Sequence, residues 1–278
     1  MGRLIKYEIK GTYRYILGVL ALVLILTTGI YVYIDGAKEG SAFGATFMGL
    51  SVLVIFGTLL TTFLYIVGSF RKELYEDRGY LTFTLPLTGN QIVGAKLVVA
   101  LLWFMVLGIV IGIYNFIMVF SFSPVELNIS EIFSMIKNMN IPYREIFIFL
   151  MLGAISGVTT LILIYLSMAL SRVTFRNKKI GGFWFIIFLV LSAVIAYGQV
   201  KISQLLPYYI DISTFKIGPS YMLNHNINIS IGVNQNGLIT NNDIGNMLFN
   251  IPGFIYSIVM GVITFLGTGY LIENKIDL

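Results

Sequence analysis

Residues 97–122 read LVVALLWFMVLGIVIGIYNFIMVFSF, a stretch without Asp, Glu, Lys, Arg or His. An α-helix rises about 1.5 Å per residue, so about 20 such residues cover the roughly 30 Å hydrocarbon core of a bilayer. In lipid, the backbone hydrogen bonds of a single span have to be made within the segment, and a helix meets that demand. The stretch therefore predicts a transmembrane helix.

Stretches of the same kind recur along the chain. Of its 278 residues 57% are hydrophobic and only 11% are charged, and the charges fall in the breaks between apolar runs. A soluble helical bundle of this length would need a charged surface instead. We predict an all-α integral membrane protein, one transmembrane domain over 1–278, with six spans at about 15–33, 43–70, 97–122, 146–170, 180–199 and 251–271.

Lys and Arg are distributed unevenly between the loops. The N-terminus, the second and fourth loops and the C-terminus together hold 13 of them, and the other side holds 5. Because cytoplasmic loops carry the excess of basic residues, we predict a multi-pass protein of the cell membrane with both termini in the cytoplasm. The formal net charge of +5 then needs no nucleic acid as partner, since these residues meet the anionic headgroups of membrane lipid.

The N-terminal residues 1–14, MGRLIKYEIKGTYR, are amphipathic. On a helix, the basic residues lie within an arc of about 80° opposite an apolar side, which is typical of a helix in the headgroup plane. This predicts an elbow helix that bends into the first span, anchored at the membrane surface by Arg3, Lys6, Lys10 and Arg14. Glu8 lies on the apolar side. It either reaches water or pairs loosely with a neighbouring Lys, or it forms a structural ion pair with basic residues of the second loop.

The second loop, 71–96, has more pattern than a plain linker. A charged run is followed by the apolar residues 80–85, and Pro86 ends that short element. Thr88 and Gln91 have the spacing of a capping box, which predicts a new helix leading through Lys96 into the third span. The loop should therefore present a short, half-buried element to the cytoplasm, where a soluble partner can push on it.

This arrangement resembles the permease subunits of type-2 ATP-binding-cassette exporters. The residues that carry the resemblance are Glu76, Asp77, Arg78, Gly79, Tyr80, Leu81, Thr82, Phe83, Thr84, Leu85 and Pro86, with Thr88 and Lys96 after them. The resemblance implies that this stretch is a coupling helix that docks into a separate ATPase subunit, which binds ATP and Mg. It also implies a second permease copy or paralogue. The chain itself would be no enzyme and hold no cofactor, and peptides, drugs and lipids all suit the family as substrates.

Residues that carry chemistry are scarce. The chain has no Cys and one His, and it contains no phosphate-binding loop, G-x-S-x-G or H-E-x-x-H motif, so we predict neither a catalytic centre nor a metal site. Ion-driven transporters usually carry ionisable residues within their spans, whereas the predicted spans hold neutral polar groups. We take some of these as candidates for lining a translocation path: Asn115, Thr58, Thr61 and Thr62. A secondary transporter or channel, and an assembly or sensor subunit without transport, remain the alternatives.

Two further loops have distinct compositions. The fourth loop is short and basic, which predicts a turn anchored to headgroups through Arg172, Arg176, Lys178 and Lys179. The outer loop 200–250 is long and rich in Asn, and the alternation within 225–239 predicts a small extracellular hairpin. That loop either caps the exit or catches a peptide, or it only shields the outer ends of the last two spans.

Overall fold

A computed structural model of the chain describes residues 2–36, 41–75, 87–121, 143–174, 182–212, 215–219 and 248–276. Six long helices account for most of them: α1 (Gly2–Gly36), α2 (Ser41–Tyr75), α3 (Gly89–Ser121), α4 (Tyr143–Thr174), α5 (Phe183–Leu205) and α6 (Ile251–Asn274). Each is long and apolar enough to cross a membrane. The six predicted spans are thereby confirmed as long apolar helices, and the protein is a largely α-helical, multi-pass membrane protein.

The helices are longer than the predicted spans. α2 continues past Phe70 to Tyr75, and α3 begins at Gly89, ahead of Lys96. α5 continues to Leu205, so the first residues of the predicted outer loop 200–250 are helical. Charge marks where a span leaves the hydrocarbon, but a helix can continue in water because its hydrogen bonds are internal. Hydropathy therefore predicted the positions of the spans correctly, but the helices that contain them extend further than predicted.

The chain divides into two compact units, one reaching from the N-terminus to Ile141 and the other from Pro142. In the first unit, α1 packs along both α3 and α2. Side chains of α1 and α3 form its core, with Val54 and Tyr65 of α2 packed against it; the fully buried members are Ile16, Val23, Val99, Trp103, Leu107 and Ile111. The unit is thus assembled around α1.

The predicted elbow, residues 1–14, lies within α1, which runs without a break from Gly2 to Gly36. Its basic side chains are exposed, as the amphipathic pattern indicated. Its apolar side differs from the expectation: Leu4 is buried, and Ile5, Ile9 and Tyr13 pack towards the core of the first unit. Protein therefore covers the face that we expected to meet lipid, and a separate elbow stays a prediction.

In the second unit, α4 packs against α5 and α6, and α5 also packs against α6. Small residues allow close contact between α4 and α6, because a methyl group added at Gly261 would lie 2.9 Å from Cγ2 of Thr159. α6 begins after Asn250, whose Oδ1 accepts from the backbone N–H of Gly253 at 2.7 Å. α5 has no fully buried side chain, as expected of a helix with wide contact to lipid.

The second unit also contains a small antiparallel sheet of β1 (Tyr208–Asp211), β2 (Ile217–Pro219) and β3 (Leu248–Asn250), in the order β2-β1-β3. Tyr209 of β1 lies opposite Gly218 on one side and Asn250 on the other. No strand was predicted at these positions, although Tyr and Ile in β1 favour strands. The hairpin predicted within 225–239 lies outside the described residues.

Candidate functional site: a buried charge cluster at one end of the first unit

Three helices of the first unit each contribute one charged residue to a buried cluster. Lys96 of α3 donates from Nζ to Glu8 Oε1 of α1 at 2.8 Å and to Glu73 Oε1 of α2 at 2.7 Å. We call Glu8, Glu73 and Lys96 the Lys96 cluster. It joins α1, α2 and α3 at a single nitrogen atom.

The Lys96 cluster is almost closed to solvent. The side chains of Lys96, Glu8 and Glu73 are 4%, 9% and 16% exposed. Glu73 Oε2 is buried and has no hydrogen-bond partner among the described residues. Buried ion pairs offset the cost of desolvation only when their geometry is good and their remaining polar atoms are satisfied. The ion pairs of the cluster have good geometry, but the polar atom Glu73 Oε2 is left unsatisfied.

A second polar contact lies next to the cluster on the same helices. Trp103 of α3 donates from Nε1 to Thr12 Oγ1 at 2.9 Å, and the Thr12 hydroxyl donates to the backbone oxygen of Glu8 at 2.9 Å. Glu8 and Thr12 are one turn apart on α1, on a buried stripe that continues to Ile16. α1 is therefore held to α3 at two successive turns by contacts with defined direction.

Two residues of the Lys96 cluster flank the loop that carries the resemblance. Glu73 is in the last turn of α2, and Lys96 is in the second turn of α3. The predicted capping box is confirmed: the N–H of Gln91 donates to Thr88 Oγ1 at 3.4 Å, and the N–H of Thr88 donates to Gln91 Oε1 at 3.3 Å. The intervening coupling residues, Glu76, Asp77, Arg78, Gly79, Tyr80, Leu81, Thr82, Phe83, Thr84, Leu85 and Pro86, lie outside the described residues.

The structure decides between the two alternatives for Glu8. Its ion pair with Lys96 confirms the prediction of a structural pair with a basic residue of the second loop. Sequence reasoning missed Glu73 as the second carboxylate and Trp103 as the partner of Thr12. A carboxylate on the apolar side of a helix was the one available signal, and it pointed to Glu8 alone.

The predicted anchoring residues fall into two groups. Arg3, Lys6, Lys10 and Arg14 are exposed along α1 and remain open to headgroups. Arg172, near the end of α4, is buried with 9% of its surface exposed, so little of it is open to a headgroup. The other members of that turn, Arg176, Lys178 and Lys179, lie outside the described residues.

The candidate path residues differ in their exposure. Thr58 and Thr62 are buried in the first unit, Thr61 is exposed, and Asn115 is half-buried. Three of them donate to backbone oxygens of their own helix: Thr58 to Val54, Thr61 to Gly57 and Asn115 to Ile111. The Thr62 hydroxyl is buried without a partner among the described residues. A role in a translocation path stays a prediction.

Within the described ranges, no group of three or more His, Asp or Glu side chains is placed to hold a metal ion. Comparison with known proteins adds no assignment: no family model matches the chain, and neither curated proteins nor solved structures include a similar one. The geometry defines a multi-pass helical membrane protein with a buried charge cluster that joins the two helices on either side of one loop to α1.

Proposed function

We propose that the chain is the permease subunit of an ATP-driven exporter, located in the cell membrane with both termini in the cytoplasm. Six apolar helices supply the spans, and the excess of basic residues on one side supports the orientation. In this proposal the N-terminal residues act as an elbow, and 76–86 contain the coupling helix that a separate ATPase binds. ATP and Mg belong to that partner, and two permeases, identical or related, enclose the path.

One observation carries the proposal: the Lys96 cluster ties both ends of the 76–86 segment to α1. The segment begins three residues after Glu73, and on its other side the chain leads through the capped start of α3 to Lys96. A force on this segment therefore acts on α1, α2 and α3 together. Packed elements with two arrangements can pass such a displacement across the membrane, which is what coupling to ATP hydrolysis requires.

A proton-driven secondary transporter is the second candidate. The Lys96 cluster also favours it, because buried carboxylates within helices that cross a membrane often bind the coupling ion. The two candidates differ in their energy source. Transport by an ATP-driven exporter stops when ATP hydrolysis is blocked, whereas transport by a proton-driven transporter stops when the proton gradient is collapsed. An assembly or sensor subunit without transport would respond to neither.

Replacement of Phe83 by Asp tests the coupling assignment. A charge in the apolar run 80–85 should prevent docking, so an affinity-tagged variant should recover at least tenfold less of an ATPase that carries a phosphate-binding loop. The permease should remain in the membrane. The matched control is Phe133→Asp, the same substitution in the third loop, 123–145, which the predicted topology places outside the cell. A second control, Lys178→Gln with Lys179→Gln, should leave ATPase recovery unchanged, because that turn is assigned to headgroups.

The measurement is the amount of ATPase per permease after purification, together with ATP hydrolysis in the eluate. Equal recovery from the wild type and Phe83→Asp would remove the coupling assignment. Loss of the ATPase in the Lys178 and Lys179 double variant would show that the docking surface also includes the fourth loop.

A further inference from the structure

The Lys96 cluster has an uneven charge balance. Two carboxylates share one ammonium group, and their Oε1 atoms lie 2.8 Å and 2.7 Å from the same Nζ. If all three groups were ionised, the buried cluster would carry one net negative charge. Such a charge is costly in a covered site, and two carboxylates held this close repel each other.

Among the residues that the structure describes, no basic side chain other than Lys96 pairs with these carboxylates. The basic residues nearest in sequence are exposed: Lys6 and Lys10 on α1, and Arg71 and Lys72 on α2. α3 contributes Lys96 itself, and among the described residues both carboxylates form their ion pairs with Lys96 alone. The other titratable groups that these helices place nearby are phenols: Tyr15 of α1 and Tyr65 of α2 stack with ring centroids 3.8 Å apart.

One polar atom of the cluster also lacks a partner. Glu73 Oε2 is buried without a hydrogen bond among the described residues, although Oε1 of the same group accepts from Lys96. An ionised carboxylate leaves this oxygen as an acceptor with nothing to accept. Protonation of Glu73 turns this oxygen into a donor, and the neighbouring Glu8 carboxylate, within hydrogen-bonding reach of Glu73, can accept from it. The charge balance and the unpartnered oxygen therefore lead to the same protonation state.

We propose that the Lys96 cluster binds one proton at the carboxyl group of Glu73 and acts as a pH-sensitive joint between α1 and α2. The proton comes from the solvent, forms one O–H bond and cancels the net negative charge. Its loss leaves α1 and α2 with two repelling carboxylates at one nitrogen atom.

The sign of the pH dependence follows from proton binding. The folded chain holds a proton that exposed carboxylates of the unfolded chain have released, so stability falls as the pH rises through the titration of the cluster. The inference needs neither an ATPase nor a transported substrate. Its failure would leave the proposed function standing, and failure of the proposed function would leave the joint standing.

Infrared spectroscopy of the purified full chain in detergent at neutral pH tests the inference. Exposed carboxyl groups are ionised there, so a protonated pair should contribute a carboxylic-acid C=O band. Both Glu8→Gln and Glu73→Gln should abolish that band, because either change leaves one carboxylate paired with one ammonium group and no excess charge. Glu273→Gln, at an exposed position on α6, is the matched control and should keep the band.

Thermal unfolding as a function of pH is the second measurement. The midpoint of the wild type and of Glu273→Gln should fall as the pH rises, and this fall should be absent from Glu73→Gln. The inference would be overturned if the wild type showed no C=O band, or if its C=O band persisted in Glu8→Gln and Glu73→Gln. Identical pH profiles of the wild type and Glu73→Gln would also overturn it. If Glu73→Gln does not fold, Glu8→Gln provides the same comparison from the other carboxyl group.

Discussion

Lys96 is charged at a buried position, where an unpaired ammonium group would strongly destabilise the fold. Its side chain is 4% exposed, and Nζ donates to one carboxylate on each of two other helices. Buried ion pairs contribute little net stability compared with apolar side chains of the same volume, but removal of one partner exposes the full cost of the other. The residue is therefore better understood as fixing which helices meet than as a large source of stability.

Replacement of Lys96 by Met should lower the free energy of unfolding by about 3–5 kcal/mol at neutral pH, because it leaves buried carboxylates without a cation. Lys72→Met is the matched control. Lys72 is exposed at the end of α2, and its replacement should change stability by less than about 0.5 kcal/mol. Reversible denaturant titration in mixed micelles measures both. Equal effects of the two substitutions would contradict the buried pair.

The helices of the two units are held in different ways. In the first unit, directional polar contacts accompany the apolar core, as between Trp103 and Thr12. In the second unit, buried small residues and threonines let α6 approach α4 closely, and Thr264 and Thr268 donate to carbonyl groups of α6 itself. Lipid is as apolar as a Leu side chain, so helices in a membrane associate through close packing and hydrogen bonds.

Replacement of Gly261 by Ala should separate α6 from α4, because the new methyl group would meet Cγ2 of Thr159 at 2.9 Å. Overpacking of this kind costs about 1–3 kcal/mol in the free energy of unfolding. At Gly153 of α4 an added methyl group meets no atom within 4 Å, so Gly153→Ala should be neutral or stabilise the helix by up to about 1 kcal/mol. The same denaturant titration compares them, and a neutral Gly261→Ala would show that the two helices can move apart at no cost.

For the molecule as a whole, charge predicts the orientation. An even number of spans would place both termini on the same side of the membrane, and 13 of the 18 Lys and Arg residues belong to that side by the predicted topology. Single cysteines can report on this directly, since the natural chain contains none. The orientation and the coupling assignment depend on each other, because a soluble ATPase reaches only cytoplasmic loops.

Labelling of intact cells with a membrane-impermeant thiol reagent should therefore separate two sets of single-cysteine variants. We expect protection at the cytoplasmic positions Gly2, Asp77, Asn177 and Lys275, and labelling at the outer positions Glu39, Ser134 and Asn236. Permeabilised cells, in which both sets should react, provide the control. Labelling of Asp77→Cys from outside would reverse the topology and remove the second loop as a docking site.

Much of this architecture could be predicted because its causes are local. Each span needs about 20 apolar residues and satisfies its own backbone, so six such stretches predict six helices without knowledge of their partners. The capping box of Thr88 and Gln91 is also local, since its two hydrogen bonds join residues three positions apart. Glu8 could be singled out because a carboxylate on an apolar helix side needs a partner.

The sequence by itself thus determined the class of protein, the number of spans and the start of the third helix. Only the tertiary structure decided that Lys96 pairs with both Glu8 and Glu73, that strands 208–211 and 248–250 join, and that the apolar side of residues 1–14 faces protein. The physical reason is that lipid and the interior of a membrane protein are equally apolar. Hydropathy therefore shows that a helix face is buried, and only the packing of distant segments shows what buries it.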